Sequence, residues 1–322
     1  MKLRYIILAM TCMAMSSLST QAQSLVYFTH DISPESLVKI YKALGVEATG
    51  RVAVKISTGE AGNNHYLKPT LIRQLVNEVN GTIVECGTAY GGSRQEPEKH
   101  WQTIHQHGFD SIFAVDLMDE FQDIRIPAKD QKHIKYDIVG EHLAHYDFMI
   151  NLAHFKGHAM GGYGGVLKNA SIGVASTHGK AYIHSAGRTS DPVLAWKPDY
   201  IAAGPTQDQF LESMAAAAQA VHDYFNGRVI YINVMNNMSV DCDCDGHPAK
   251  PELKDMGIMA SLDPVAVDQA CLDMVFGHKA QPGDDNKPLI ERINRQHGTY
   301  ITDYAQQIGL GSIKYHLINL DK

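Results

Sequence analysis

From Arg51 onwards, segments with the pattern of a buried strand alternate with segments with the pattern of an amphipathic helix. The strand-like segments are short apolar runs. The helix-like segments carry apolar residues three and four positions apart, as Ile72, Leu75 and Val79 do. Because parallel strands are joined by helical crossovers, this alternation predicts an α/β fold, a mainly parallel sheet with helices on both faces.

The predicted elements cover most of the chain after residue 50. We expect strands at residues 52–56, 82–86, 112–117, 148–152, 228–234, 257–262 and 313–320. We expect helices at residues 69–80, 97–107, 138–145, 208–226, 265–276, 286–296 and 300–308. Residues 186–205 hold three prolines, which indicates a long surface loop. With no repeat or clear linker, residues 23–322 are predicted to form a single α/β domain.

Residues 1–22 have the pattern of a secretory signal peptide. Lys2 and Arg4 precede an apolar run at residues 5–15, and Thr20-Gln21-Ala22 precedes the expected cleavage after Ala22. We therefore expect an exported, periplasmic protein. The apolar run is too short for a membrane span, and no later segment reaches the roughly 18 to 20 apolar residues that spanning needs, so no membrane span is predicted.

The charge balance argues against a nucleic-acid partner. The chain has a formal net charge of −7, which becomes −9 when the two positive charges of the signal peptide are removed. Such a surface repels nucleic acid, and no basic patch with interleaved aromatic residues offsets it. A small-molecule ligand is the expected partner.

The segment 147–185 has the density of ligand-type side chains that a binding pocket needs. A strand-like run leads into His154, Lys156 and His158, then into a glycine-dense turn, and then into further cations and imidazoles. Ligand chemistry in α/β proteins gathers at strand ends, so we prefer a pocket to a solvated loop. Candidate catalytic residues are Lys156, Lys168, His178 and His184, and candidate cofactor contacts are Gly164, Gly165 and Asn169. Lys55 and Glu60 could face the same crevice, although a surface position is the expectation for Glu60.

Two cysteines separated by one residue mark a second candidate site. In an extended chain, Cys242 and Cys244 point to the same face with Cα atoms roughly 6.6 Å apart. Two thiolates on one side suit a soft transition metal or an iron–sulfur centre, whereas a disulfide requires a bent backbone. Both readings stay open. The predicted metal ligands are Cys242, Cys244, His154, His158 and His247.

The same segment also agrees with a calcium-loop pattern. Asp241, Asp243, Asp245 and Gly246 are followed by Glu252 at the twelfth position. A predicted strand precedes the segment where such loops have a helix, and two prolines oppose the helical exit. Calcium is therefore a minor alternative.

Several separated motifs occur in an order that resembles the domain of unknown function family 362, whose members are described as uncharacterised iron–sulfur-centre proteins. The motifs are Val54-Lys55 with Gly59-Glu60 and Leu67-Lys68-Pro69, Tyr90-Gly91-Gly92-Ser93-Arg94, His154-Phe155-Lys156-Gly157-His158, Gly164-Gly165 with Lys168-Asn169, Gly179-Lys180 with His184-Ser185, Asp241-Cys242-Asp243-Cys244 and Ser261-Leu262-Asp263-Pro264-Val265-Ala266. The resemblance implies an α/β fold and a shared pocket, but no settled reaction. Many relatives carry a ferredoxin-like cysteine insertion after the position of Ser185, and residues 186–207 contain no cysteine.

Two main functional hypotheses follow. The first is an exported protein of unknown reaction that binds a metal or an iron–sulfur centre at a pocket formed by residues 154–184 and the Cys242/Cys244 loop, with redox chemistry there. The second is a metal-free binding protein for an anionic small molecule, in which Cys242 and Cys244 are bridged. A weaker third is a hydrolase with a hard metal on Asp241, Asp243 and Asp245.

Overall fold

A computed structural model describes residues 23–321. The predicted signal peptide, residues 1–22, lies outside the described residues. The strands are β1 (Ser24–Thr29), β2 (Val52–Lys55), β3 (Gly81–Glu85), β4 (Val115–Leu117), β5 (Asp123–Pro127), β6 (Tyr136–Gly140), β7 (Phe148–His154), β8 (Lys156–His158), β9 (Gly162–Gly164), β10 (Val229–Met235), β11 (Gly257–Ser261) and β12 (Tyr315–Asn319).

Helices occupy most of the connections between these strands. They are α1 (Pro34–Ala43), α2 (Pro69–Glu78), α3 (Pro97–Gln106), α4 (Val166–Lys168), α5 (Thr177–His184), α6 (Pro192–Ala195), α7 (Pro198–Ala202), α8 (Gln207–Tyr224), α9 (Pro264–Gly277), α10 (Lys287–Arg295) and α11 (Tyr300–Gln307). A 3₁₀ helix spans Glu141–His145, and a π-helical turn at Asn169–Gly173 continues α4. None of the helices in the described residues is long and apolar enough to cross a membrane.

Eight strands form one mainly parallel sheet in the order β12-β1-β11-β10-β7-β2-β3-β4. The strands from β10 to β4 pair in parallel, as β1 does with β12. The strand β11 runs antiparallel to both of its neighbours. The predicted α/β fold with a mainly parallel sheet is therefore confirmed.

Alternate residues of the central strands enter two separate cores, one on each face of the sheet. On β7, Phe148, Ile150 and Leu152 pack into a cluster with apolar residues of α1, α2 and α3. Met149 and Ala153 pack on the other face with residues of α8, α9 and α11. Because successive side chains of a strand point to opposite faces, a strand buried on both sides is apolar throughout, which explains why its sequence is a continuous apolar run.

Most predicted elements are present with boundaries shifted by a few residues, but three expectations need correction. The segment 138–145 is not a single short helix, because its first residues complete β6 and only Glu141–His145 is helical. Residues 186–205 are not a plain loop, since they contain α6 and α7. The pair β1 and α1, ahead of the first predicted strand, was not predicted at all.

The carboxyl ends of the parallel strands meet at one edge of the sheet. Lys55 ends β2, Glu85 ends β3 and His154 ends β7. The segment that follows β10 carries the two cysteines to the same edge. Ligand sites of open α/β sheets are found at this position.

Candidate functional site

A cavity of about 490 Å³ lies at the carboxyl ends of the parallel strands. It is the meeting point of the segments after β2, β3, β7 and β10 with the residues from β8 to α5. The charged, imidazole-bearing and cysteine side chains of its wall are Lys55, Glu60, Glu85, Cys86, Arg94, His154, Lys156, His158, Lys168, Lys180, His184, Asp241, Cys242, Cys244 and Asp245.

Glu85 holds two buried cations at the floor of the cavity. Its carboxylate accepts hydrogen bonds from Lys55 Nζ at 2.9 Å, from Arg94 Nη1 at 3.2 Å and from the Thr58 backbone at 2.8 Å. Burial opposes ionisation, but Lys55 and Arg94 outweigh it and hold the pKa of Glu85 well below its usual range. Arg94 also binds Glu60 at 3.3 Å, so these four side chains form one satisfied network.

A second buried network joins the strand end to the cysteine loop. Asp243 accepts from His154 Nδ1 at 2.8 Å and from Lys156 Nζ at 2.6 Å, while the other ring nitrogen of His154 contacts the Asn236 carbonyl. Although burial disfavours its charge, His154 and Lys156 hold the pKa of Asp243 well below its usual range. Both ring nitrogens of His154 are thus engaged. The contacts with His154 and Lys156 fix the position of Asp243, which lies between the two cysteines.

Two lysines of the wall have no carboxylate partner among residues 23–321. Lys180 donates to the Ala175 carbonyl, and Lys168 Nζ contacts Cys242 Sγ at 3.9 Å. Burial, reinforced by Lys156, lowers the pKa of Lys168 to about 7, and burial also lowers the pKa of Lys180. Among the described residues, these two are the cations of the wall without a direct ion pair, although Asp119 favours the charged form of Lys180, and Asp243 that of Lys168, from a greater distance.

Cys242 and Cys244 are joined by a disulfide in the cavity wall. Their Cα atoms are 5.2 Å apart, closer than in an extended chain, because the backbone turns at Asp243. Of the two alternatives left open by the sequence, this conformation corresponds to the bridge. One ligand atom of His158 lies within 4.8 Å of both sulfurs, so the group also has the composition of a soft-metal site.

Glycines allow the segments of the site to approach one another. A Cβ at Gly157 would lie 2.2 Å from the Val240 carbonyl oxygen, so only glycine lets β8 run against the start of the cysteine loop. The glycine-dense segment is the strand β9, which pairs antiparallel with β8, rather than a bare turn. Gly164 and Gly165, the expected cofactor contacts, line the cavity. A Cβ at Gly165 would lie 2.3 Å from Asp268 Oδ1.

Asp268, on α9, holds the cavity-lining helix α4 in place. Its buried carboxylate accepts from the backbone of Val166 and Leu167, from Asn233 and from Tyr163. Burial raises the pKa of Asp268 to about 6. Asn169, predicted as a cofactor contact, lines the cavity. Its side-chain amide nitrogen donates to the Lys55 carbonyl and to Asn151 Oδ1.

The structure brings most of the predicted site residues together and separates two of them. His154, Lys156, His158, Lys168 and His184 line the same cavity. His178 does not, because it lies in a neighbouring depression where its Nδ1 contacts Asp123 at 2.6 Å. His247 is exposed outside the lining. The contacts of His154 described above leave it no ring nitrogen for a metal.

The calcium-loop alternative gathers no common set of oxygens. Asp243 faces His154 and Lys156, whereas Asp241 faces Arg292 at 3.2 Å. Carboxylates that are already bound to different cations do not form the cage of 6 to 8 oxygens that calcium requires.

Sequence reasoning missed several residues of the wall. Glu85 and Trp196 were not among the predicted site residues, and Arg94 entered only as part of a family motif. Glu60 was expected at the surface but is buried at 7% exposure. The indole nitrogen of Trp196 has no hydrogen-bond partner among the described residues, and His184 stacks on Phe210 beside it. The position of Glu85 at a strand end was the one available signal.

Residues 52–273 match the sequence pattern of a domain of unknown function, DUF362. The chain belongs to this family. The resemblance inferred from the motifs is therefore confirmed, and the matched range contains all the segments that build the cavity. Among proteins with curated descriptions, none matches the chain.

Two solved structures are similar in part. The lactate racemase apoprotein from Thermoanaerobacterium thermosaccharolyticum is 13% identical with a TM-score of 0.38, covering 65% of this chain and 50% of that chain. A structural-genomics protein from Thermotoga maritima is 12% identical with a TM-score of 0.43, covering 74% and 57% respectively. The matched parts thus span half, or slightly more, of these proteins. At this level of similarity the function of neither protein extends to this family member.

Proposed function

We propose that the protein binds a small anionic molecule in the cavity at the carboxyl ends of the parallel strands. The observation that carries this proposal is the pair Lys168 and Lys180, whose ammonium groups have no carboxylate partner in residues 23–321. The other cations of the wall are already paired, Lys55 and Arg94 with Glu85, and Lys156 with Asp243.

The electrostatics favour an anion because buried ammonium groups without a direct ion pair are costly. Burial disfavours their charged form, and a bound carboxylate or phosphate would restore the lost stabilisation through charge-assisted hydrogen bonds. Trp196 and His184 line the cavity beside these cations, and Phe210 stacks on His184 from behind, which suits the apolar part of an organic anion.

A thermal-stability screen tests the proposal. Ligands that bind only the folded state raise the melting temperature. We expect small carboxylates or inorganic phosphate to raise it, with no effect from neutral amides of the same shape at equal ionic strength. Equal shifts for an acid and its amide, or no shift with any anion, would contradict the proposal.

A metal centre on the reduced cysteines is a second candidate, favoured by the convergence of His158, Cys242 and Cys244. A bridge across one intervening residue closes a very small loop, so it removes little entropy from the unfolded chain and has little value as a structural staple. Two thiolates and one imidazole suit a single soft ion. A four-iron cluster is usually held by four thiolates, which this group does not supply.

For this candidate we expect the reduced protein to bind cobalt with thiolate charge-transfer absorption. Cys244→Ser should abolish that absorption and His158→Ala should weaken binding. His247→Ala, at an exposed position outside the wall, serves as the matched control and should bind as the wild type does. Unchanged absorption in Cys244→Ser would exclude the site, whatever the His158 variant does.

We also propose that the chain is exported and that cleavage follows Ala22. The support is the charged, apolar and small-residue pattern of residues 1–22. An oxidising compartment would also favour the Cys242–Cys244 bridge. Amino-terminal sequencing of the protein from the periplasmic fraction should begin at Gln23, and recovery of the uncleaved chain from the cytoplasm would contradict export.

A further inference from the structure

A second group of metal-type ligands lies at the edge of the sheet, away from the cavity. Asp116 belongs to β4, the last strand of the sheet, and His142 and His145 belong to the 3₁₀ helix after β6. One ligand atom of each of these three side chains lies within 4.8 Å of the others. None of them lines the cavity.

The backbone holds these residues together through a contact that only glycine allows. A Cβ at Gly140 would lie 2.2 Å from the backbone of Met118, so its absence lets the 3₁₀ helix run against the end of β4. The His142 amide then donates to the Met118 carbonyl at 3.2 Å. In a 3₁₀ helix, residues three apart are eclipsed, which places the two imidazoles on the same side. Their rings stack with centroids 4.8 Å apart.

The carboxylate is oriented by two further contacts. Asp116 contacts His142 Nδ1 at 2.8 Å through one oxygen and accepts from the Tyr146 hydroxyl at 2.7 Å through the other. An ion bound here would replace the proton between His142 Nδ1 and Asp116 Oδ1, while the Tyr146 hydroxyl would keep the other carboxylate oxygen oriented.

The charge of the group also fits a cation. Asp116 has no lysine or arginine partner within residues 23–321, and its salt-bridge contact there is His142. Neutral imidazoles with one carboxylate are the ligands that divalent zinc takes in three-ligand sites. In a tetrahedral site with bonds of about 2.0–2.1 Å, ligand atoms stand roughly 3.3 Å apart. The exposed His145 can close the remaining distance by a change of rotamer.

We propose that Asp116, His142 and His145 form a binding site for one divalent transition-metal ion of the zinc type, with a coordination position left open to water or an external ligand. This site is independent of the cavity and of the anion proposed for it.

The test uses the full chain with Cys242→Ser and Cys244→Ser, which removes the thiolates of the other metal candidate. Zinc affinity is measured by competition with a chromophoric chelator. We expect one equivalent of zinc, and at least a tenfold loss of affinity in His145→Ala, since even the loss of a second-shell partner costs about 10- to 100-fold. Asp116→Asn should weaken binding as well.

His316→Ala is the matched control, because His316 is an exposed histidine on the opposite edge strand β12. It should bind zinc as the parent does. Equal affinities for His145→Ala and His316→Ala would show scattered surface binding and overturn the site, as would the absence of a bound equivalent in the parent. His145 is exposed, so its variant should melt as the parent does without zinc, and a destabilised variant is replaced by His145→Gln for the same comparison.

Discussion

Replacing Lys168 by methionine is expected to lower the affinity for the anion by about 10- to 100-fold, because a hydrogen bond to a charged group contributes about 1.5–3 kcal/mol. Methionine keeps the apolar stem of the lysine and removes only its charge. Burial already disfavours the ammonium of Lys168, so the unfolding free energy should be unchanged or higher. Isothermal titration with an anion identified in the stability screen measures the first effect, and urea unfolding measures the second.

The matched control for Lys168→Met is Lys279→Met, a replacement of an exposed lysine outside the cavity. It removes a positive charge outside the cavity, so it corrects for long-range attraction of the anion. The two variants must differ by at least tenfold in affinity. If they bind alike, the anion is attracted by net charge alone and the pocket assignment fails.

Replacing Glu85 by glutamine is expected to destabilise the protein by about 3 kcal/mol, because it leaves buried cations without their carboxylate. The side chains of Lys55 and Glu85 are 1% and 4% exposed, so water cannot take over the lost interaction. The cost lies at the lower end of the range for a broken buried pair because Arg94 keeps its contact with Glu60. Urea unfolding at pH 7 measures it.

The control is Glu78→Gln, which removes the carboxylate from an ion pair at the surface. Glu78 contacts Lys42 at 2.8 Å, but their side chains are 37% and 59% exposed, so its loss should cost less than about 1 kcal/mol. A cost for Glu85→Gln as small as that for Glu78→Gln would mean that the buried network does not stabilise the fold.

The cost of Glu85→Gln should also depend on pH. The pKa of Glu85 is lowered in the folded protein, so its contribution is complete above the unfolded value of about 4.3 and is lost as pH falls toward the folded value. The gap in stability between the wild type and Glu85→Gln should therefore shrink below about pH 4. A gap that stays constant down to pH 2 would contradict the charge-based explanation.

The sequence by itself determined the class of fold and the order of most elements. Burial of a strand on both faces requires a continuous apolar run, and burial of one helix face requires apolar residues three and four positions apart. Both patterns can be recognised within a short segment of the sequence. The same reasoning located the cavity in outline, since polar residues such as Lys55 and His154 directly follow buried strands. The glycines of residues 157–165 also marked a place where backbones approach closely.

Only the tertiary structure decided which of these side chains act together. The sequence predicts His154 as a metal ligand, yet one of its ring nitrogens is hydrogen-bonded to Asp243, 89 residues later. His178 lies close to His184 in sequence but points to a different depression. The pairing of β1 with β12, from the far end of the chain, also could not be predicted from the sequence near either strand. Contacts of this kind depend on the spatial order of the strands in the sheet. The local hydrophobic periodicity of a segment does not indicate which other strands it will lie beside.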